Sequence, residues 1–331
     1  MSKSRLRLQT PFILLGAAVL LPAVIPDPGI LQIITMIFLM IIPAMALNLI
    51  MRTGHVNFAH CAFIAIGAYV STFLSMKAGL SFWLCLPLAG AAGALIAWGI
   101  GWIILRIKGP YFFLVTVAFL EIVIRSLTRF KEITGGHQGI EHIPKPSITI
   151  PYVFAFQFKS ETSFYYLMLA AMLFSTLAIY RLQRGHWGLT WRAAREADMV
   201  AESVGVDVIR YKVAAFTVGC FFAAASGSLY AHYVSFINPG TFGLMMMFGM
   251  LMSVIVGGRE YFYGPIVGTI VLRGLSASVA RMAVYEPIIY GTILGLIILF
   301  FPAGIAGLPS KFPVLWGSIL HRVRRKTSGP A

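Results

Sequence analysis

The chain has 331 residues, of which 59% are hydrophobic and only 11% are charged. Soluble domains are about 45–50% apolar and about 25% charged, so this composition excludes a soluble globular protein and indicates an integral membrane protein. A formal net charge of +15 would suggest nucleic-acid binding in a soluble protein. The sequence has no stripe of basic residues interleaved with aromatic ones, and we attribute the charge to Lys and Arg retained on the cytoplasmic side of a membrane.

Ten apolar segments are candidates for membrane-spanning helices, since a helix needs about 20 apolar residues to cross roughly 30 Å of hydrocarbon. They cover residues 11–26, 30–51, 57–76, 82–106, 110–128, 163–182, 208–232, 243–257, 264–284 and 286–302. The first segment lacks a convincing cleavage site of small residues, so it is predicted to be an uncleaved span and not a signal peptide. The predicted fold class is an all-α integral membrane protein, a polytopic bundle of about ten transmembrane helices in which some helices can be broken.

The distribution of basic residues predicts the orientation of the chain. With the N-terminus inside, 18 of the 26 Lys and Arg residues lie on the cytoplasmic side, six lie outside and two fall within spans. This excess predicts that both termini are cytoplasmic. Residues 1–331 then form a single transmembrane domain with an outer loop at 129–162, a cytoplasmic loop at 183–207 and a basic cytoplasmic tail at 309–331.

Small residues recur at four-residue spacing in several spans. Ala89, Gly93, Ala97 and Gly101 form such a row in the fourth span, and Gly264 and Gly268 begin another in the ninth. Small side chains let helix backbones approach closely in lipid, so these rows predict a compact helical bundle.

Polar residues within the spans are the candidates for a translocation path. Asn57 and His60 open the third span, where a broken helix lining a cavity is favoured over an ordinary helix with a capping turn. Glu121 and Arg125 are four positions apart in the fifth span, so they share a helix face and can pair. Burying a charge in a membrane costs at least about 2.5–3.5 kcal/mol, so the pair is either a buried lock between helices or a polar wall of a path.

Two loops between the spans stand out. The outer loop 129–162 contains Gly135, Gly136 and Gly139, and it is either a docking surface or external gate, or a plain connector. The charged segment 186–212, which covers most of the cytoplasmic loop and the start of the next span, predicts a surface helix presented to a soluble partner. The alternative is an amphipathic helix lying on lipid headgroups, but its balanced charge disfavours this because lipid-binding faces are usually rich in Lys and Arg.

No catalytic or metal-binding motif is found. The patterns GxSxG, HExxH and GxxxxGK[ST] are absent, so the chain is not predicted to be an enzyme or to hydrolyse ATP by itself. Cys61, Cys85 and Cys220 are isolated, and the seven His residues are scattered, so no metal site or disulfide is predicted. An ion-coupled secondary transporter remains a rival, while a membrane-embedded acyltransferase would need a His/Asp pair that the sequence does not contain.

Seven segments in order resemble the LivM-like permeases of the branched-chain amino acid ABC importer family, across nearly the whole chain. They are GHVNFAHCAFIAIGAY (54–69), LRIKGPYFFLVTVAFLEI (105–122), TGGHQGI (134–140), AREADMVAESVGVDVIRYKVAAF (194–216), GSLYAHYVSFINPGTF (227–242), GGREYFYGPIVGTIV (257–271) and IIYGTILGLIILFFPAGIAGL (288–308). The chain departs from the family at 57–60, where Asn-Phe-Ala-His replaces an SLGH-type sequence. Because the family also includes urea, amide and aromatic-acid systems, branched-chain amino acids are the default substrate.

The resemblance implies a bacterial inner-membrane permease subunit. Its implied partners are a second homologous permease, two ATP-binding subunits that use the ATP, and a periplasmic or extracellular substrate-binding protein; no cofactor is implied for this chain. It also implies a cytoplasmic coupling helix at about Thr190–Val204, ended by Gly205, that contacts an ATPase subunit. The implied contact residues are Trp191, Ala194, Arg195, Glu196, Ala201, Glu202, Val204 and Gly205.

Overall fold

The computed structural model describes residues 16, 18–25, 27–107, 109–150, 154–158, 160–196, 205, 207–278, 291–292, 295 and 304–307. We number the helices from the first that is described in full. They are α1 (Pro28–Met51), α2 (His60–Met76), α3 (Phe82–Ile104), α4 (Pro110–Arg129), α5 (Lys131–Thr134), α6 (Glu161–Arg184), α7 (His186–Glu196), α8 (Val208–Val234), α9 (Leu244–Gly257) and α10 (Gly264–Ser278).

Eight of the ten predicted spans coincide with helices to within a few residues at the described ends. Helices α1, α3, α4, α6 and α8 are long and apolar enough to cross a membrane, as is α9 together with the 3-10 turn Pro239–Phe242 that precedes it. Helices α2 and α10 are apolar but shorter. Of the predicted span 11–26, residues 16 and 18–25 are described and 18–24 are helical, whereas the span 286–302 lies largely outside the described residues.

Capping residues fix where several helices begin. The Asp27 carboxylate accepts a hydrogen bond from the N–H of Gly29 at the start of α1, and Pro28 occupies the first turn. The Ser160 hydroxyl accepts from Ser163 N–H before α6, and the Asp207 carboxylate accepts from Arg210 N–H before α8. Each cap satisfies one of the backbone donors that a helix start leaves without a partner.

Helix α8 lies at the centre of the bundle and packs against α1, α2 and α3. Its close contacts depend on small residues: a Cβ atom at Gly227 would overlap the carbonyl oxygen of Ile64 in α2, and one at Gly67 in α2 would overlap the Ala224 carbonyl. Gly93 of α3 likewise faces the Ala224 side chain. The rows of small residues in the sequence therefore mark helix contacts, as predicted.

Helices α9 and α10 form an antiparallel pair held in the same way. A Cβ atom at Gly268 would overlap the Ser253 carbonyl oxygen, and one at Gly257 would overlap the Gly264 carbonyl oxygen. The two helix ends that flank the loop 258–263 are thus fixed closely against each other.

The loop 129–162 and the segment after α8 meet at one end of the bundle. Strand β1 (Ile140–Glu141) pairs antiparallel with β4 (Phe236–Ile237), and β2 (Ser147–Ile150) pairs with β3 (Phe154–Gln157). The Trp83 indole donates to the Ser147 carbonyl (3.0 Å), and His232, which also contacts Ser71, donates from Nδ1 to the Pro144 carbonyl (2.7 Å). The sequence analysis did not predict these strands, because their two to four residues are too few for a periodicity to emerge.

Candidate functional site

Helix α7 coincides with the first half of the predicted surface helix. It follows α6 after Gly185 and packs against α6 and α8. A Cβ atom at Gly188 would overlap the carbonyl oxygen of Gln183, so the turn between α6 and α7 is as tight as a backbone contact permits. This turn sets the orientation of α7 relative to α6.

Two tryptophans four residues apart in α7 differ sharply in burial. The Trp191 side chain is 1% exposed, and its Nε1–H donates a hydrogen bond of 2.9 Å to the carbonyl of Tyr211 in α8. Trp187 is 45% exposed, with its ring centroid 5.2 Å from that of Tyr211. Leu189 and Arg192 are also exposed, so α7 offers both apolar and basic side chains to its surroundings.

The Glu260 carboxylate, in the loop between α9 and α10, receives a two-pronged contact from α7. Arg195 donates from Nη1 to Oε2 (3.1 Å) and from Nη2 to Oε1 (2.7 Å). The Nε of Arg259 lies 3.3 Å from the same Oε1. A guanidinium fork matched to both carboxylate oxygens is the strongest and most directional form of ion pair between side chains.

The loop between α1 and α2 joins the same cluster. Arg52, directly after α1, donates from Nη2 to the backbone carbonyl of Glu260 (3.2 Å). A Cβ atom at Gly54 would lie 3.6 Å from the Cγ of Arg195, so the Arg195 side chain passes close to this loop. Three segments distant in sequence therefore meet at Glu260, which we call the Glu260 cluster (Arg52, Arg195, Arg259 and Glu260).

The electrostatics of the Glu260 cluster keep its acid charged. The hydrogen bonds from Arg195 lower the pKa of the Glu260 carboxyl, and the charges of Arg259 and Arg52 act in the same direction. Because the folded pKa lies below the ordinary value, the stabilisation by this pair is complete above that ordinary value. It is lost only as the pH falls through the depressed pKa, so the pair is intact near neutral pH.

The residues implied as contacts with an ATPase subunit fall into three groups. Trp191 is buried in the chain, so in this structure it anchors α7 and does not offer its ring to a partner; Arg195 is engaged by Glu260. The backbone of Ala194 and Glu196 continues α7, but their side chains lie outside the described residues, as do Ala201, Glu202 and Val204. Gly205 is exposed and has a φ of +85°, a conformation that favours glycine and suits its predicted role as a helix stop.

Asn57 and His60 lie in the interior of the bundle. Residues 52–59 are the non-helical loop between α1 and α2, and α2 is continuous from His60, so the broken helix that the sequence favoured within this span is not observed. The Asn57 Oδ1 accepts from Ala59 N–H (3.0 Å), and the His60 Nε2–H donates to the Pro43 carbonyl (3.0 Å). Both side chains are fully buried, so neither lines an open cavity in this structure.

Some of their polar atoms lack a partner. Asn57 Nδ2 and His60 Nδ1 have no hydrogen-bond partner among the described residues, and neither amide atom of the buried Asn48 has one. Buried polar groups are normally paired, so this part of the α1–α2 contact carries polar capacity that the packing leaves unused.

Glu121 and Arg125 form the predicted ion pair on α4, with 3.3 Å between Arg125 Nε and a Glu121 carboxylate oxygen. Their side chains are 38% and 82% exposed, so the pair is not a buried lock between helices of this chain. The reason is the placement of α4 at the edge of the bundle, where only Phe112, Thr116 and Leu120 of this helix are buried. The charges therefore lie on the outer face of a mostly apolar helix.

The comparison with known proteins connects this architecture to one family. Residues 29–302 match the model of the family described as branched-chain amino acid transport system, permease component. The chain belongs to this permease family.

Individual relatives agree with that assignment. The permease is 31% identical over 306 residues to the high-affinity branched-chain amino acid transport system permease protein LivM of Salmonella typhimurium, which covers 87% of this chain and 72% of the relative. The LivM protein of Escherichia coli K12 gives the same values. The LivH permease of Escherichia coli K12 is 24% identical over 279 residues, or 77% of this chain and 87% of the relative. None of the solved structures matches the chain significantly.

The sequence analysis of this permease missed Glu260 and Arg52. A signal was present, because Arg259 and Glu260 form a charged dipeptide between two apolar spans, on the same predicted side as the 183–207 loop. What the sequence did not reveal was the partner of Glu260, which lies 65 positions away in α7.

Proposed function

We propose that this permease is a transmembrane subunit of an ATP-binding-cassette importer that moves branched-chain amino acids inward. Separate subunits hydrolyse the ATP, and an external binding protein delivers the substrate. The chain spans the inner membrane about ten times with both termini in the cytoplasm, so that the end with the Glu260 cluster is cytosolic, in agreement with its basic character.

The observation that carries the proposal is the way in which α7 is mounted. It lies at the end of the bundle, it is docked through Trp191 and Arg195, and it leaves Trp187, Leu189 and Arg192 exposed. Exposed aromatic and Arg side chains on a docked helix are typical of a protein interface. A partner that binds these exposed side chains can displace α7 as a rigid body.

The ion pair on α4 supports a second element of the proposal, a translocation path against a second permease. A charge near the middle of a span, such as that of Glu121, would cost at least about 2.5–3.5 kcal/mol on a lipid-facing surface, although pairing with Arg125 reduces this cost. The apolar neighbours Phe113, Leu114 and Ile122 are exposed as well. We propose that this face of α4 lies against the other permease and the path between the two, with Asn57 and His60 behind it on α2 and its entry.

Purification and transport assays test the function as a whole. The tagged chain, co-expressed with its permease and ATPase partners, is expected to elute with both, and liposomes with the complex should accumulate leucine, isoleucine or valine only with hydrolysable ATP. A complex whose ATPase lacks its P-loop lysine is the control.

Other outcomes would change the proposal. ATP-dependent uptake of urea, amides or aromatic acids alone would support an ATP-driven importer but contradict branched-chain amino acids as its substrate. Uptake by this chain alone, driven by an ion gradient, would identify a secondary transporter instead.

Cysteine labelling tests the environment of the α4 pair. In the assembled transporter, Glu121→Cys is expected to react with a small water-soluble thiol reagent at least ten-fold faster than Leu95→Cys, because residue 121 faces a hydrated path. Leu95 is the matched control, since it is exposed and lies in the middle of α3. The native cysteines are buried and give a low background. Equal, slow labelling at both positions would contradict the path.

A further inference from the structure

The Glu260 cluster joins segments that are otherwise separate. The Arg195–Glu260 pair connects residues 65 positions apart, whereas the pairs Glu121–Arg125 and Asp207–Arg210 each join neighbours on one helix or at its start. The pair therefore fixes α7 to another part of the fold, and the other two pairs act only locally.

The loop that holds Glu260 is itself firmly tied to two membrane helices. The loop 258–263 is short, and the glycine contacts between Gly257 and Gly264 clamp the adjoining ends of α9 and α10 together. A force applied at the Glu260 side chain therefore moves both helix ends, because the backbone between them has no slack with which to absorb it.

The backbone of Glu260 extends the connection to the α1–α2 segment. Arg52 holds the Glu260 carbonyl, and five residues later Asn57 lies in the non-helical entry to α2. This entry is where Asn57, His60 and Asn48 retain unused polar atoms. A shift of the loop 258–263 would thus act on this part of the interior. Its unpaired polar atoms could form hydrogen bonds in a second conformation, which would stabilise that conformation.

Stability is a poor explanation of the pair. The Glu260 side chain is 56% exposed, and exposed ion pairs contribute little to folding because water screens them. What a guanidinium fork on a carboxylate supplies is a fixed mutual orientation, which a single-point contact from Lys does not. The Arg195–Glu260 pair therefore fixes the orientation of α7 relative to the loop 258–263, and it can break and re-form at a small cost in free energy.

We propose that Glu260 is the joint through which displacement of α7 moves α9, α10 and the α1–α2 segment, and that it is thereby a positioning residue for coupling ATP hydrolysis to transport. The proposal rests on the proposed function, since it requires an ATP-driven partner on α7. Glu260 is given no contact with substrate or ATP. Its role is to convert movement at the surface of the bundle into movement within it.

The test uses the complete transporter in liposomes and measures three quantities: yield of assembled complex, ATPase rate and substrate imported per ATP hydrolysed. Glu260→Gln is expected to lower the imported substrate per ATP at least ten-fold, with yield and ATPase rate within two-fold of the wild type. Arg195→Lys should give an intermediate loss, because it keeps the charge and removes the fork. The double exchange Arg195→Glu/Glu260→Arg should recover at least a third of the wild-type ratio, whereas each single reversal abolishes it.

Asp207→Asn is the matched control. It removes an exposed ion pair with Arg210 (2.6 Å) near the same end of the bundle, while asparagine keeps the cap on α8. Its ratio of transport to hydrolysis should equal that of the wild type.

Two results would overturn this proposal alone, and a third would overturn the proposed function as well. An unchanged ratio in Glu260→Gln would show that the joint transmits nothing. A parallel fall of yield, ATPase rate and transport in Glu260→Gln, without recovery in the double exchange, would show a structural role. Absence of ATP-driven uptake in the wild-type complex would instead remove the proposed function itself, and this proposal with it.

Discussion

Replacing Gly227 by alanine is expected to prevent stable assembly of the helical bundle. The added Cβ atom would overlap the Ile64 carbonyl oxygen and lie 2.9 Å from the Ala68 nitrogen. Both obstacles are backbone atoms of α2, so no side-chain rotation relieves the overlap, and α8 and α2 would have to separate. Overpacking of a core costs about 1–3 kcal/mol and occasionally more, and this contact lies at the centre of the bundle. Size-exclusion profiles and thermal melting in detergent measure the effect.

Gly99→Ala provides the control for this substitution. Gly99 lies in α3, and no atom lies within 4 Å of the position that its Cβ would take. Alanine is favoured over glycine in a helix by about 1 kcal/mol, so this variant should melt at or slightly above the wild-type temperature. If Gly227→Ala melted like the wild type, the close approach of α2 and α8 would be refuted.

Replacing Trp191 by alanine is expected to release α7 and abolish ATP-driven transport while the membrane bundle stays folded. Among the described residues, this side chain is the largest that is fully buried, and its loss also removes the hydrogen bond to Tyr211. Removing a buried Trp costs about 3–5 kcal/mol. Because α7 is a short helix with few other contacts to the bundle, this loss of stability detaches α7 and leaves the membrane helices folded. Limited trypsin digestion should cleave after Arg192 or Arg195 at least ten-fold faster than in the wild type.

Trp187→Ala removes an indole ring from the same helix at a position where the ring is exposed. We expect wild-type resistance to trypsin, because the Trp191 anchor is intact, but weaker retention of the ATPase subunit during purification. Trypsin resistance in Trp191→Ala equal to that of the wild type would contradict the anchoring role of Trp191.

The candidate site was predictable only in part. The sequence located α7, because one charged segment between apolar spans is visible in composition alone. The resemblance to the importer family implied that Trp191 and Arg195 contact a partner, and the structure shows both side chains engaged with the chain itself. Nothing in a 3.6-residue period distinguishes Trp187 from Trp191, four positions apart and nearly one above the other. The burial of one and the exposure of the other follow from where α6 and α8 lie.

The sequence by itself determined that the chain is a membrane protein, where eight of its helices lie and which small residues let them approach, because hydropathy and residue size act locally along the chain. Only the tertiary structure decided that the Glu121–Arg125 pair faces outward, that Asn57 and His60 are enclosed, and that Glu260 meets Arg195. These outcomes depend on how distant segments are juxtaposed. That arrangement is set by the packing of the whole bundle and leaves no periodic trace in any one segment.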